Sequence, residues 1–326
     1  MNDWNAILDV ARATPSPHNV QPWRCRVLSD QRLLLLLDRR RMLPETDRTG
    51  SFMHAAMGMF IEACTIAAAN LGRRLDHRIL PETELQPLMP FAELTLDDTP
   101  APPAPYSNAL LLRRRTSRLA YERTPVAPQA VTALEQLASA WGQRLVVVRQ
   151  RATIEDVMRE NIRALFYDLN DPVYAGELVP WFRFSQRQAL HSRDGLDFQC
   201  MRLTRLEFVL AARAPQLMQL PVASTLLRRL YRQRLGYVPA IGALAGTFWD
   251  RTSAIHAGRF LFRFWLELEQ HGLSMHPLGN LVTNTRSAAW IRTTLDTDQI
   301  WLMFKLGSSQ EPPASQRLIL TEVLCD

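Results

Sequence analysis

The stretch SFMHAAMGMFIEACTIAAANLG, residues 51–72, decides how the rest of the chain is read. Serine at its start suits a helix N-cap, glycine just past its end suits a helix stop, and between them lie about five turns of small and apolar residues. A helix apolar on all sides has to be covered over most of its surface, so its neighbours are expected to pack around it. Upstream, residues 3–12 place Ile7, Leu8 and Ala11 at helical spacing, and strands are predicted over 24–28 and 32–38, joined by Ser-Asp-Gln at a hairpin position. Downstream, after a polar, proline-bearing link, FAELTLDD alternates as a strand does, and residues 99–105 carry four prolines and read as a linker.

The second part of the chain repeats this order. A helix begins near Ser107 and runs into LLRRRTSR, and an amphipathic helix follows over 128–141. A Val-rich strand is predicted over 144–149, a second long helix over 253–271 stopped by Gly272, and a last strand over 300–306. ACTIAAANLG pairs with WLELEQHGL, and FAELTLDD with IWLMFKLG, in element order, length and glycine stop more than in letters, as in a diverged duplication. The expectation is an α+β fold of two pseudo-repeated halves, 1–105 and 106–326, each a sheet with flanking helices. Between Ile154 and Ala245 the second half holds extra sequence, including GELVPWFRFSQRQALHSRDGLDF and LMQLPVASTLLRRLYRQRLGYVP. It reads as a helical lid over about 155–245, outside any sheet.

Composition narrows the function classes. With 326 residues, 47% hydrophobic and 21% charged, the chain is an ordinary globular mixture. No window approaches ~18 consecutive apolar residues, and MNDWNAILDV lacks the features of a secretory signal, so a cytoplasmic protein with no membrane partner is expected. Cys25, Cys64, Cys200 and Cys325 are scattered and read as reduced thiols. His54, His77, His191, His256, His271 and His276 lack ligand spacing, so no metal is expected. The formal charge of +6 is dominated by arginine and forms no nucleic-acid module. Arginine suits anionic groups such as phosphate, which its planar fork of donors can grip.

Two segments stand out chemically. RATPSPHNVQPW, residues 12–23, sets Ser16 and Asn19 in a proline-stiffened loop, pre-ordered to hold a polar ligand. Its plainer reading is a turn in which Gln21 and Trp23 anchor the next strand, a role that suits Trp23 best; His18 is open between surface residue and substrate contact. RRRTSR, residues 113–118, gathers Arg113, Arg114, Thr116, Ser117 and Arg118, the guanidinium forks and hydroxyls that a phosphate monoester needs, or else forms a solvated helix face.

PSPHNVQPW and RRRTSR together resemble the FMN-dependent nitroreductase superfamily, with its proline-serine, asparagine, glutamine-proline-tryptophan signature and its arginine-serine-arginine segment. In ordinary members both lie in one half-size chain, arginine segment first, and two chains bind FMN at their interface. Here they occur in the opposite order, one per half. That is similar to the fused, single-chain subgroup typified by the mycobacterial Acg protein, whose halves form an intrachain pseudo-dimer and whose lid ELVPW and RDGL resemble.

The resemblance implies one FMN per polypeptide, because only one pairing of loop and arginine segment exists. It assigns Pro15, Ser16, His18, Asn19 and Gln21 to the ring and ribityl side. To the phosphate side it assigns Arg113, Arg114, Thr116, Ser117 and Arg118, with Arg114, Ser117 and Arg118 leading, together with Ser315 and Arg317. The loop of Pro277, Leu278 and Gly279 would direct a backbone N–H at flavin N5. Trp181 and Arg183, with Phe182 and Phe184, would close from the lid over ring and substrate. The implied reaction passes hydride from NAD(P)H to N5 and then two electrons to a small acceptor, nitroaromatic or quinone-like, with no catalytic triad. Two alternatives stay open: a lid-covered FMN-sequestering protein with little turnover, and a specialised flavin oxidase or dehydrogenase for a biosynthetic intermediate. The assembly expected is a monomer with an internal pseudo-dimer, or a weak homodimer.

Overall fold

Two four-stranded antiparallel sheets share one plan in the computed structural model, which describes residues 3–82, 86–213 and 221–325. In the first half α1 (Asp3–Ala11) precedes β1 (Trp23–Ser29), β2 (Arg32–Asp38), α2 (Ser51–Asn70), β3 (Arg73–Ile79) and β4 (Leu88–Pro100). After α3 (Asn108–Arg113) come α4 (Pro128–Ala140), β5 (Arg144–Val148) and α5 (Arg151–Asn170). Next are α6 (Pro172–Leu178), β6 (Phe182–Arg183), α7 (Gln186–Ser192), β7 (Leu196–Asp197), α8 (Arg205–Arg213) and α9 (Pro221–Leu235). The second sheet resumes with β8 (Ala240–Ala245), α10 (Arg251–Gln270), β9 (Ser274–Pro277), α11 (Asn280–Thr283), α12 (Thr285–Leu295) and β10 (Ile300–Gly307), and α13 (Leu320–Val323) ends the chain. Strand order is β1-β2-β4-β3 in one sheet and β5-β8-β10-β9 in the other, so matching strands hold matching places.

The two 20-residue helices, α2 and α10, meet in the core with residue numbers two hundred apart. Their contact is reciprocal. A β-carbon on Gly58 would lie 2.2 Å from the Ile255 carbonyl oxygen, and one on Gly258 would lie 2.1 Å from the Ala55 carbonyl oxygen. Residue i meets j while the equivalent of j meets the equivalent of i, the signature of a two-fold contact. Both helices stop on a left-handed glycine, Gly72 and Gly272. By length and composition α2 could cross a membrane, although no uninterrupted apolar run in it reaches ~18 residues; here it is mostly buried in the core. Its start differs from the expectation: Gly50, not Ser51, is the N-cap, and the Asp47 carboxylate accepts from the N–H groups of Phe52 and Met53 at 3.2 and 2.9 Å. That cap comes from outside the local serine pattern, which is why the pattern missed it.

Other expectations are corrected. The edge strand β3 stands in part of the stretch expected to be a polar link; in RRLDHRI Leu75 alone is buried, so the segment shows no strand alternation in its letters. The strand β8, AIGALA, is buried throughout and lies inside the span read as lid. Glycine is required at 242 because β10 presses against it there; a β-carbon on Gly242 would lie 2.2 Å from the Phe304 ring. The helix α5 also belongs to the second half, packing Ile154, Val157 and Ile162 with Ile241, Ala243 and Met303. The separate cap therefore begins at α6 and ends with α9; residues 214–220 of it lie outside the described residues. Residues 114–118 do not continue α3, since the chain extends there and Thr116 pairs with Met275. Finally, the chain end returns to the first half: Cys325 N–H donates to the Cys25 carbonyl at 2.9 Å, and Leu318 and Val323 join the core that holds α1 and β1.

Candidate functional site

The loop between α1 and β1 is tightly wound, with His18, Asn19 and Gln21 all at positive φ between 47° and 57°. Left-handed conformations in three non-glycine residues are unfavourable and persist only where surroundings impose them. Here the surroundings are the lid and the chain end. Asn19 Nδ2 donates to the carbonyls of Gly195 and Gln316 at 3.1 and 3.0 Å, while its Oδ1 accepts from Arg317 at 2.7 Å. Gln21 Nε2 donates to the Arg193 carbonyl at 2.9 Å, and its Oε1 accepts from Leu318 N–H at 2.9 Å. These two amides were expected to face a ligand. Their polar atoms are instead spent joining loop, lid and tail; Ser16 Oγ accepts from Gln21 N–H at 2.9 Å. Trp23 stacks on Phe60 with centroids 4.8 Å apart, a core role.

Beside this loop, residues from both halves and the tail close a cavity of about 180 Å³, lined by Arg12, Arg114, Arg115, Thr116, Ser315 and Arg317 among others. Arg114 is only 2% exposed. Its guanidinium lies 4.5 Å from the Trp265 ring centre and Nη2 reaches the Ala13 carbonyl at 3.4 Å, but Nε and Nη1 are buried with no acceptor among the described residues. Burial, with Arg317 and Arg115 nearby, pulls its pKa down to about 9. Arg317 is drawn down to about 10 by burial and by Arg115. Asp9, also on the wall, is paired with Arg12 at 2.8 Å. The wall is cationic and short of anionic charge, and Arg114 in it carries two buried donors with no acceptor among the described residues.

Not every residue of RRRTSR takes part. Arg113 closes α3 and pairs with Glu269 at 2.9 Å on the surface, so it leaves the site. Ser117 is buried, its N–H donates to the Met275 carbonyl at 3.0 Å and its hydroxyl pairs with Ser309 at 2.7 Å, fixing the segment to the second sheet. Arg118 does not line this cavity and donates to the Cys200 carbonyl of the lid at 3.4 Å. Around it lie His18, His276 and Lys305. Desolvation and Arg118 lower the His18 pKa to about 4, so this half-buried histidine is held neutral. Burial, then Arg118 and Lys305, push His276 well below its ordinary value, and its Nδ1 is buried without a partner. Of the N–H groups at 277–279, Pro277 has none and Leu278 donates to Met303 at 2.7 Å, which leaves that of Gly279; a β-carbon there would meet open space.

A pH dependence follows from the two histidines. Both are held neutral when folded, so below about pH 6.5 the unfolded chain binds more protons, and stability rises with pH between about 4 and 6.5. Lowering the pH of ligand-free protein from 7 to 5 is expected to cost up to about 1.4 kcal/mol per unit per histidine. Urea unfolding at the two pH values measures this, and His18→Asn with His276→Asn should flatten the difference. Equal loss in that double variant would place the titrating groups elsewhere.

The lid is tied to the first half at several points. The Glu177 carboxylate accepts from the N–H groups of Glu45 and Thr46 at 2.7 and 2.9 Å and from Thr46 Oγ1 at 2.6 Å, and Asp194 pairs with Arg41 at 2.9 Å. Trp181 packs on Val20, Leu43 and Met53. Arg183, expected to face substrate, is buried and bonded to Asp194, the Ser192 hydroxyl and the Pro180 carbonyl, so it braces the lid internally. Phe182 and Phe184 likewise pack against Phe208 within the lid. Replacing Asn19 and Gln21 together by alanine removes four bonds to lid and tail carbonyls and N–H groups. Amide exchange at 193–196 and 316–318 should then quicken by at least about tenfold, as expected for losing 1–2 kcal/mol of local stability. Unchanged exchange would show that the lid is held without them.

Sequence reasoning missed Arg12, Arg115 and the buried, unpartnered hydroxyl of Thr14. Arg12 and Thr14 flank the proline loop, and Arg115 sits within RRRTSR, so adjacency was the available signal. A larger cavity of about 460 Å³, between Trp249 and Ile300, lies at the opposite end of β10 from Lys305, away from these groups.

No protein-family model matches the chain. A Mycobacterium tuberculosis protein provisionally named an NAD(P)H nitroreductase is 29% identical over 186 residues, 54% of this chain and 49% of that protein. The Acg protein of the same organism, provisionally named likewise, is 27% identical over 184 residues, 54% of this chain and 53% of its own length. The chain thus spans about half the length of the curated relatives it matches. Among solved structures, a protein of Anabaena variabilis provisionally named a nitroreductase superposes with a TM-score of 0.51 at 11% identity, over 94% of this chain and 88% of that one. This chain has the nitroreductase fold and is a relative of the mycobacterial Acg-type proteins.

Proposed function

We propose that the chain is an FMN-binding oxidoreductase of nitroreductase type, working as a single-chain pseudo-dimer of halves 1–105 and 106–326, with the extreme C-terminus returning to the first half. The observation that carries this reading is Arg114, buried beside Arg115 and Arg317 with two guanidinium donors lacking acceptors. A phosphate monoester supplies nearly two negative charges and several acceptor oxygens, which is what that cavity lacks. Arg12, Arg114, Arg115 and Arg317 would hold the phosphate, with Thr116 and Ser315 as hydroxyl donors. Pro15 and Ser16 would border the ribityl side, and Gly279 N–H, with Arg118 and the neutral His18 and His276, would face the ring. FMN, when bound, supplies two-electron redox chemistry, with NAD(P)H as donor and a small nitroaromatic or quinone-like molecule as acceptor. The protein orients these groups, keeps the surroundings positive and excludes water beneath the lid. A cytoplasmic location accompanies this reading.

One observation favours a second reading, an FMN-holding protein with little turnover. The lid is fastened to the first half by Glu177, Asp194, Asn19 and Gln21 together. Purified protein mixed with FMN and then with NADH or NADPH under anaerobic conditions separates the two. One flavin per chain that bleaches within seconds is expected of the reductase; lasting yellow colour supports the second reading, and a failure to retain FMN overturns both.

A further inference from the structure

Lysine occurs once in this chain: among 38 lysine and arginine residues, Lys305 alone is not arginine. It sits in β10 with 0% of its surface exposed. Its ammonium donates to the carbonyls of Leu119 and Leu235 at 3.0 and 3.2 Å and lies 4.4 Å from the centre of the Tyr121 ring. Leu119 follows Arg118 directly, and Leu235 is the last residue of α9. One side chain therefore joins the arginine segment to the point where the lid returns to the sheet.

The choice of lysine has a physical reason. A compact ammonium has three rotatable donors, here two for carbonyls and one toward an aromatic face, whereas a guanidinium presents a wide planar fork and keeps its charge at any accessible pH. The groups facing Lys305 are Arg118 from the arginine segment, Arg202 from the lid, His276 from β9 and the Tyr121 phenol. Burial, with Arg202 and Arg118 beside it, brings the amine down to about pH 7. An anion arriving near Arg118 and His276 stabilises the ammonium, and by linkage its binding is accompanied by proton uptake.

We infer that Lys305 is a positioning residue of this site, which sets Arg118 and the lid exit in one register and takes up a proton as the anionic ligand enters. The ligand half of that statement rests on the flavin reading; the register half does not.

A single lysine makes the test direct. Protein labelled with ¹³C at lysine Cε gives one side-chain signal, titrated with and without FMN. The midpoint is expected near neutrality in ligand-free protein and higher by about one unit with FMN, while FMN affinity falls about threefold from pH 7 to pH 8. In Lys305→Met that pH dependence disappears, and amide exchange quickens at 117–121 and 235–240. A midpoint near the ordinary lysine value of about 10.4 overturns the inference, as does a Lys305→Met protein with unchanged exchange and unchanged pH dependence. If wild-type protein binds no FMN yet its lysine titrates near neutrality and the variant loosens both segments, the flavin reading fails and the register role stands.

Discussion

Gly258→Ala is expected to destabilise the protein by at least about 4 kcal/mol, beyond the usual cost of overpacking a core. The added β-carbon would lie 2.1 Å from the Ala55 carbonyl oxygen and 2.6 Å from Ala55 Cα, and backbone atoms cannot swing aside as a side-chain tip can. Relief requires α2 and α10 to part by more than about 1 Å, which forfeits dispersion along their whole shared face. Gly58→Ala should cost nearly as much, because its β-carbon meets the Ile255 backbone in the same way. The double variant should then cost clearly less than the two singles together, since one separation relieves both clashes. Urea unfolding of the three variants measures this. A loss below about 1 kcal/mol for either single variant would mean that the helices do not meet through these glycines.

Arg114→Met is expected to move ligand affinity and stability in opposite directions. Its buried Nε and Nη1 have no acceptor among the described residues, and each unmet buried donor costs about 1–3 kcal/mol, whereas a methionine keeps the apolar contact with Trp265. Ligand-free protein should therefore unfold at the same temperature as wild type or higher. FMN affinity should fall about 100-fold, the loss expected for two charge-assisted bonds worth roughly 3 kcal/mol together. Thermal melts of ligand-free protein and fluorescence titration with FMN separate the terms. A sharp drop in melting temperature with affinity intact would make Arg114 a core residue and remove the chief support for the proposed phosphate site.

Part of the candidate site was legible because each segment that meets there is short and distinctive by itself, although the segments lie far apart along the chain. RRRTSR announced a cationic segment, and Arg114 is its centre; PSPHNVQPW announced a constrained turn, and three of its residues are left-handed. What the letters could not reveal was direction. Arg113 and Arg114 are neighbours, yet one closes α3 against Glu269 on the surface while the other, where the chain leaves the helix, is buried over Trp265. Asn19 and Gln21 are polar residues in a loop, and only the lid and the tail, 172 to 298 residues away in sequence, decide that their amides are consumed by protein. The strand β8 escaped for a related reason: the glycine at 242 suits its place only because Phe304 fills the space beside it.

Periodicity, helix stops and segment order were enough to determine two like-built halves around a pair of long core helices, because burying an apolar helix is a local demand that every turn of it repeats. The reciprocal contact of Gly58 with Gly258's helix, the uncompensated charge at Arg114 and the burial of Lys305 were decided by tertiary structure alone. Close approach and charge balance are properties of what arrives from elsewhere in the chain, and a residue's own neighbours in sequence carry no record of it.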